Sequence, residues 1–173
     1  MRPFVVGLLL LLNMILQSTL FQHAAILNVL PNTALLIVVS YAILRGDVEG
    51  ALVGFFAGLL QDIFFGRYIG FHAACGVIVG YVCGKPFKDF FRENYLLPLP
   101  LAAVSILATE LVFYVFHFLL QGQTNVWYYV HKIILPETVY TLLLAIPVYR
   151  LVYGINGRLE AFAKRRTGIY SKD

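Results

Sequence analysis

The sequence predicts an all-α integral membrane protein, a six-transmembrane-helix bundle with both chain ends in the cytoplasm. Three observations predict it. Of the 173 residues, 60% are hydrophobic and only 13% charged, with a mean hydropathy of +0.80, whereas soluble domains carry about 25% charged residues. The apolar residues form six runs separated by short polar breaks, and a spanning helix needs about 20 of them. Lys and Arg fall almost entirely on one side of those runs, the bias that sets orientation in a membrane.

The runs are 3–21, 25–44, 50–65, 69–84, 96–120 and 133–153. In the first, Arg2 followed by Phe4 to Leu16 has the form of a signal peptide, but the run stays apolar to Phe21 and no small-x-small pattern follows. It reads as a retained helix. Asn13 and Gln17 lie four apart on one side of it, placed for interhelical hydrogen bonds. The second run contains Pro31-Asn32, which breaks a helix interior; its helix is expected to begin near Pro31, the alternative being a kinked or re-entrant segment buried by protein. Arg45-Gly46-Asp47-Val48-Glu49 ends this run, and Gly66-Arg67-Tyr68 ends the third. After the fourth comes Lys85 to Tyr95, whose Phe87, Phe90, Phe91 and Tyr95 suit the inner interface. The fifth ends in a polar and aromatic loop, Gln121 to Lys132, with Trp127, Tyr128 and Tyr129 expected as outer interfacial anchors. Pro136 and Pro147 predict bends or a delayed start in the last helix.

With the N-terminus inside, eleven of the thirteen Lys and Arg residues face the cytoplasm, and only Arg67 and Lys132 remain outside. The transmembrane domain is therefore placed at 1–154 and a basic cytoplasmic tail at 155–173. In that tail Ile155, Leu159 and Phe162 keep helical spacing beside Arg158, Lys164, Arg165 and Arg166. Either a short amphipathic helix lies on the inner leaflet, or the tail is solvated and its charge only enforces topology. Arg45, Asp47 and Glu49 join these four basic residues as candidates for a cytoplasmic surface.

Gly46, Gly50, Gly54 and Gly58 recur every four residues into the third run, and Gly76, Gly80 and Gly84 repeat the pattern in the fourth. Such rows let helix backbones touch, a main source of association where lipid is as apolar as leucine. They predict tight packing inside the bundle or a docking face for another protein's single helix. Ionisable groups inside a membrane are costly and need partners, which singles out Asp62, Glu110 and Glu137, all expected in the outer half. His117, seven residues after Glu110, shares its helix face. A hydrogen-bonded network, a small-ligand or ion site, and a contact to a partner all fit these four residues.

Catalytic signatures are lacking. The chain has no Gly-x-Ser-x-Gly elbow, no phosphate-binding loop, no His-Glu-x-x-His pair and no Gly-x-Gly-Asp of an intramembrane aspartyl protease. Cys75 and Cys83 are eight residues apart, about 12 Å along a helix, too far for a disulfide. They read as packing residues. The histidines His23, His72, His117 and His131 show no zinc-ligand spacing, so no metal, no cofactor and no enzyme activity are expected.

The stretch Leu44-Arg45-Gly46-Asp47-Val48-Glu49-Gly50, with Gly54, Gly58, Gln61 and Asp62 after it, resembles the rod shape-determining protein family MreD. Leu16 to Phe21, Gly80-Tyr81 with Gly84, the size and the six runs agree with it; Asn32 after Pro31 departs from the acidic residue common there. The resemblance implies a non-enzymatic subunit of the bacterial elongation machinery in the inner membrane. Its expected partners are MreC, bound directly, and MreB, RodA and the transpeptidase partner of RodA, bound directly or through others. The lipid bilayer surrounds it, and no nucleic acid is involved. The family bundle is similar to the substrate-binding subunits of energy-coupling factor transporters, so the alternative is a small-molecule-binding subunit of a vitamin-type transporter. Those subunits dock their ATPases through Ala-x-x-x-Ala in the first helix, whereas Leu8 to Leu12 here are all leucine. This favours the shape protein.

Overall fold

Pro31-Asn32 starts a helix. In the computed structural model, which describes residues 2–23, 29–66, 68–85, 98–116 and 126–170, α1 spans Arg2–His23 and α2 spans Thr33–Arg45. The Asn32 Oδ1 accepts from the Leu35 backbone N–H at 3.1 Å, which satisfies one of the orphan donors of a helix N-terminus. The second run, expected to open at residue 25, is therefore helical from Thr33; residues 24–28 lie outside the described residues. α3 (Asp47–Phe64) follows after Gly46 alone, whose φ of 96° lies where a side chain is disfavoured. α4 spans Phe71–Gly84 and α5 spans Pro98–Tyr114.

The last run differs most from expectation. α6 (Val126–Tyr129) passes through a π-helical turn, Val130–Ile134, directly into α7, Leu135–Tyr170. The expected loop up to Lys132 is thus helical from Val126, and the boundary expected at 154/155 falls inside a continuous helix. Pro136 lies inside this continuous helical run, directly after the π-turn, so the place where its ring and missing N–H disturb the i→i−4 ladder coincides with the local widening of the helix. Pro147 sits within α7 without ending it. Farther along α7, Gly157 and Gly168 each weaken the helix by about 1 kcal/mol, too little to stop one already nucleated by its preceding turns.

α2 occupies the centre. Every residue from Thr33 to Leu44 is buried, as befits a helix apolar on all sides, and α1, α3, α4, α5 and α7 all pack on it. Among the described residues, one helical stretch, Trp127–Ala161, is long and apolar enough to cross a membrane by length and composition. α2, α4 and α5 have 13, 14 and 17 residues, about 20–26 Å. α3 has 18 but contains Asp47, Glu49 and Asp62. Leu8, Leu12 and Ile15 on α1, Leu52, Phe56 and Ile63 on α3 and Leu143 on α7 are large apolar side chains left exposed.

Candidate functional site

The residues singled out by the sequence gather in three places: a glycine seam between α3 and α4, a polar layer at the Asn32 end of α2, and a charged clamp at its Arg45 end.

In the seam, the glycines of α3 and α4 meet backbone to backbone. A Cβ on Gly54 would run into the Gly76 carbonyl, one on Gly58 into the His72 carbonyl, and one on Gly80 into the Gly50 carbonyl. On Gly50 it would lie 2.6 Å from the Ala42 Cβ and 2.7 Å from the Gly80 carbonyl oxygen, so α2 closes on the same line. Gly84 faces the backbone of Gly46 and Asp47. All seven glycines are thus brought to contacts inside this chain.

Asp62 closes the seam at its far end. Its carboxylate, 1% exposed, accepts from the backbone N–H groups of Gly70 at 2.8 Å, His72 at 3.0 Å and Ala73 at 3.1 Å. The His72 Nδ1 lies 2.8 Å from Oδ1. One side chain of α3 therefore caps the N-terminus of α4, where negative charge is favoured by the helix dipole and free N–H groups.

The other acids do separate work. Glu110 on α5 accepts from the Tyr129 hydroxyl at 2.8 Å, joining α5 to α6. Tyr129 is 1% exposed while Trp127 is 74% exposed, so Tyr129 is an internal bridge and not the interfacial anchor expected of it. The aromatic cluster hid this because composition alone does not say which ring turns inward. Glu137 on α7 lies beside Asn32 and within electrostatic reach of Glu110. His117 is outside the described residues.

Asn32 is the hub that the sequence missed. Its Oδ1 also accepts from Gln61 Nε2 at 3.1 Å, and its N–H donates to Thr141 Oγ1 at 3.0 Å. The Thr141 hydroxyl donates in turn to the Glu137 carbonyl at 2.6 Å. Gln17 on α1 donates to the Pro31 carbonyl at 3.0 Å, so one of the pair Asn13 and Gln17 reaches the segment that leads into α2; Asn13 Nδ2 is buried without a hydrogen-bond partner among the described residues. The signal available was the Pro-Asn pair, a helix start by rule, whose remaining hydrogen bonds only the fold can assign.

At the opposite end, Arg45 Nε bonds Glu49 at 3.1 Å and its Nη1 bonds Glu160 at 3.3 Å, tying α2 to α3 and α7. Burial opposes the charge on Arg45, but the Tyr41 hydroxyl and the two carboxylates outweigh it and hold its pKa above the ordinary value. Asp47, the first residue of α3, makes a local bond, its carboxylate accepting from Val48 N–H at 2.9 Å. Arg158 is exposed, and Lys164, Arg165 and Arg166 lie on the helical backbone beyond Glu160. Cys83 is buried and Cys75 half-buried, both as free thiols.

A cavity at the centre of this assembly is lined by residues that include Asn32, Gln61, His72, Cys75, Gly76 and Thr109, and measures about 10 Å³. That is room for about one water, far below the roughly 300 Å³ at which ligand pockets begin.

The family model described as rod shape-determining protein MreD matches residues 1–155. The chain belongs to the MreD family. No curated protein and no solved structure matches it. The match runs from α1 through the first half of α7 and covers the glycine seam, Asp62, the Asn32 hub and Arg45. It ends five residues before Glu160. As an MreD family member the chain is a rod-shape-determining membrane protein, and the exposed apolar faces of α1, α3 and α7 fit that environment.

Proposed function

We propose that this MreD protein is a non-enzymatic scaffold subunit of the bacterial elongation machinery, with six helical rods in the inner membrane and both termini in the cytoplasm. It binds MreC and helps couple MreB filaments to peptidoglycan synthesis by RodA and its transpeptidase partner. The family match over residues 1–155 carries the reading. Its support in the fold is the use to which the polar and small residues are put. Asp62, Asn32, Glu110, Thr141 and the glycine rows are each engaged by other parts of this chain, which makes a rigid platform, and the central cavity admits about one water. The basic residues support the orientation: Arg45, Lys85 and Arg158 fall at one end of the bundle, the end expected inside.

Purification in mild detergent with an affinity tag tests the reading. Recovery of an MreC-type single-span protein and a RodA-type synthase is the expected result. Recovery of an ATPase pair with a bound vitamin would instead assign the chain to transport. The orientation is checked separately by single cysteines in a variant lacking Cys75 and Cys83. One at Asn125 should react with an impermeant thiol reagent in intact cells, and one at Ser171 should be protected.

A further inference from the structure

The continuous α7 raises a question that the shape-protein reading leaves open, which is what its last turns touch. Among the described side chains, Glu160 is the last on α7 held by another helix, through Arg45 at 3.3 Å, and Asn156 one turn earlier is still buried and donates to Glu160 at 3.3 Å. The helical backbone continues to Tyr170. Ten residues, about 15 Å of helix, therefore extend past the Arg45–Glu160 pair.

Between Arg158 and Lys172 the sequence places Arg158, Lys164, Arg165, Arg166 and Lys172 against Glu160 alone, and Glu160 is already committed to Arg45. Depth then selects the partner. Arg45 terminates α2 at the inner end of the bundle, so Glu160 lies near the inner edge of the hydrocarbon. Lys164 to Arg166 are four to six residues farther on, about 6–9 Å. The headgroup layer on one side of a bilayer is about 5–8 Å thick. The three consecutive basic residues thus fall at the level of lipid phosphates, held there by a helix that the Arg45–Glu160 pair prevents from sliding.

We propose that the extension of α7 binds anionic lipid headgroups of the inner leaflet, with Lys164, Arg165 and Arg166 at the level of the phosphates and the Arg45–Glu160 pair setting their depth. Clustered basic residues just past a spanning helix attract anionic lipid in this way. The element differs from an amphipathic helix lying flat, because it is continuous with α7 and needs no break at the interface. The proposal rests on the membrane placement given above, but its test does not depend on which terminus faces the cytoplasm.

The full chain is reconstituted in symmetric nanodiscs of phosphatidylcholine containing a minority of phosphatidylglycerol, each lipid spin-labelled in turn, and the lipid immobilised against the protein is compared. Wild type should hold phosphatidylglycerol in preference, and the preference should weaken as salt shortens the screening length below about 8 Å. The triple variant Lys164→Gln, Arg165→Gln, Arg166→Gln should lose at least about fivefold of that preference, the weight of one basic contact at a membrane surface. A charge-keeping variant, Lys164→Arg, Arg165→Lys, Arg166→Lys, should keep it. A triple variant with undiminished preference overturns the proposal, as does a wild-type preference that ignores salt. Wild type without lipid preference, but with charge-dependent capture of a cytoplasmic protein, overturns it in favour of a protein partner.

Discussion

The α3–α4 hairpin and the α6–α7 rod are both rich in glycine and polar residues, yet they are held by opposite means. In the hairpin, backbone meets backbone, and Gly50, Gly54, Gly58, Gly76, Gly80 and Gly84 have no room for a methyl group. In the rod, Gly154 and Gly157 have nothing within 4 Å, and attachment runs through side chains: Tyr129 to Glu110, Thr141 to Asn32, Glu160 to Arg45. The difference teaches that glycine spacing alone does not identify a packing surface. What matters is whether a second backbone arrives. The hairpin should respond to size and the rod to hydrogen-bonding capacity.

The largest effect is expected at Gly54. Leucine there would drive its side chain into the Gly76 carbonyl, and we expect no folded protein to accumulate, read by detergent-extracted yield and size-exclusion profile. Even Gly54→Ala should cost about 1–3 kcal/mol or more, the range for overpacking. Normal yield and thermal stability for both variants would remove close contact as the basis of the hairpin.

Asp62→Leu comes next. It strips three backbone donors of their acceptor in a buried place, where a single unsatisfied group costs about 1–3 kcal/mol. Asp62→Asn keeps one oxygen and should fall between leucine and wild type in thermal unfolding. If leucine is as stable as asparagine, the cap on α4 contributes nothing.

In the rod, Glu110→Gln keeps an acceptor for the Tyr129 hydroxyl and should be tolerated, whereas Glu110→Leu removes that acceptor and should cost about 1–3 kcal/mol. Thr141→Val should behave like Glu110→Leu, since it removes the acceptor for the Asn32 N–H while keeping shape. A stable Glu110→Gln that keeps its partners but no longer supports rod shape would show that the carboxylate does more than bridge helices.

The smallest effect carries the opposite sign. Gly157→Ala, in open space on a helix, should stabilise by about 0.5–1 kcal/mol, because alanine has the better helix propensity. The same substitution thus reverses its effect between Gly54 and Gly157, and a loss of stability at Gly157 would mean that another surface packs there.

By itself the sequence determined the helical class, the six apolar runs, the helix start at Pro31-Asn32 and the family, because hydropathy, capping chemistry and a local glycine motif are written in neighbouring residues. It also marked Asp62, Glu110 and Glu137 as groups in need of partners, since an acid in an apolar run is costly wherever the run folds. It left their partners open. Only the tertiary structure decided that Asp62 caps α4, that Tyr129 turns inward to Glu110, and that Asn32 joins α2 to α3 and α7. The same holds for the inner end, where Arg45 reaches Glu160 across 115 positions of sequence and α7 continues past the boundary that composition suggested. The physical reason is common to all of these: a hydrogen bond or a backbone contact depends on how helices cross, and the crossing is set by packing around α2, to which α1, α3, α4, α5 and α7 all contribute.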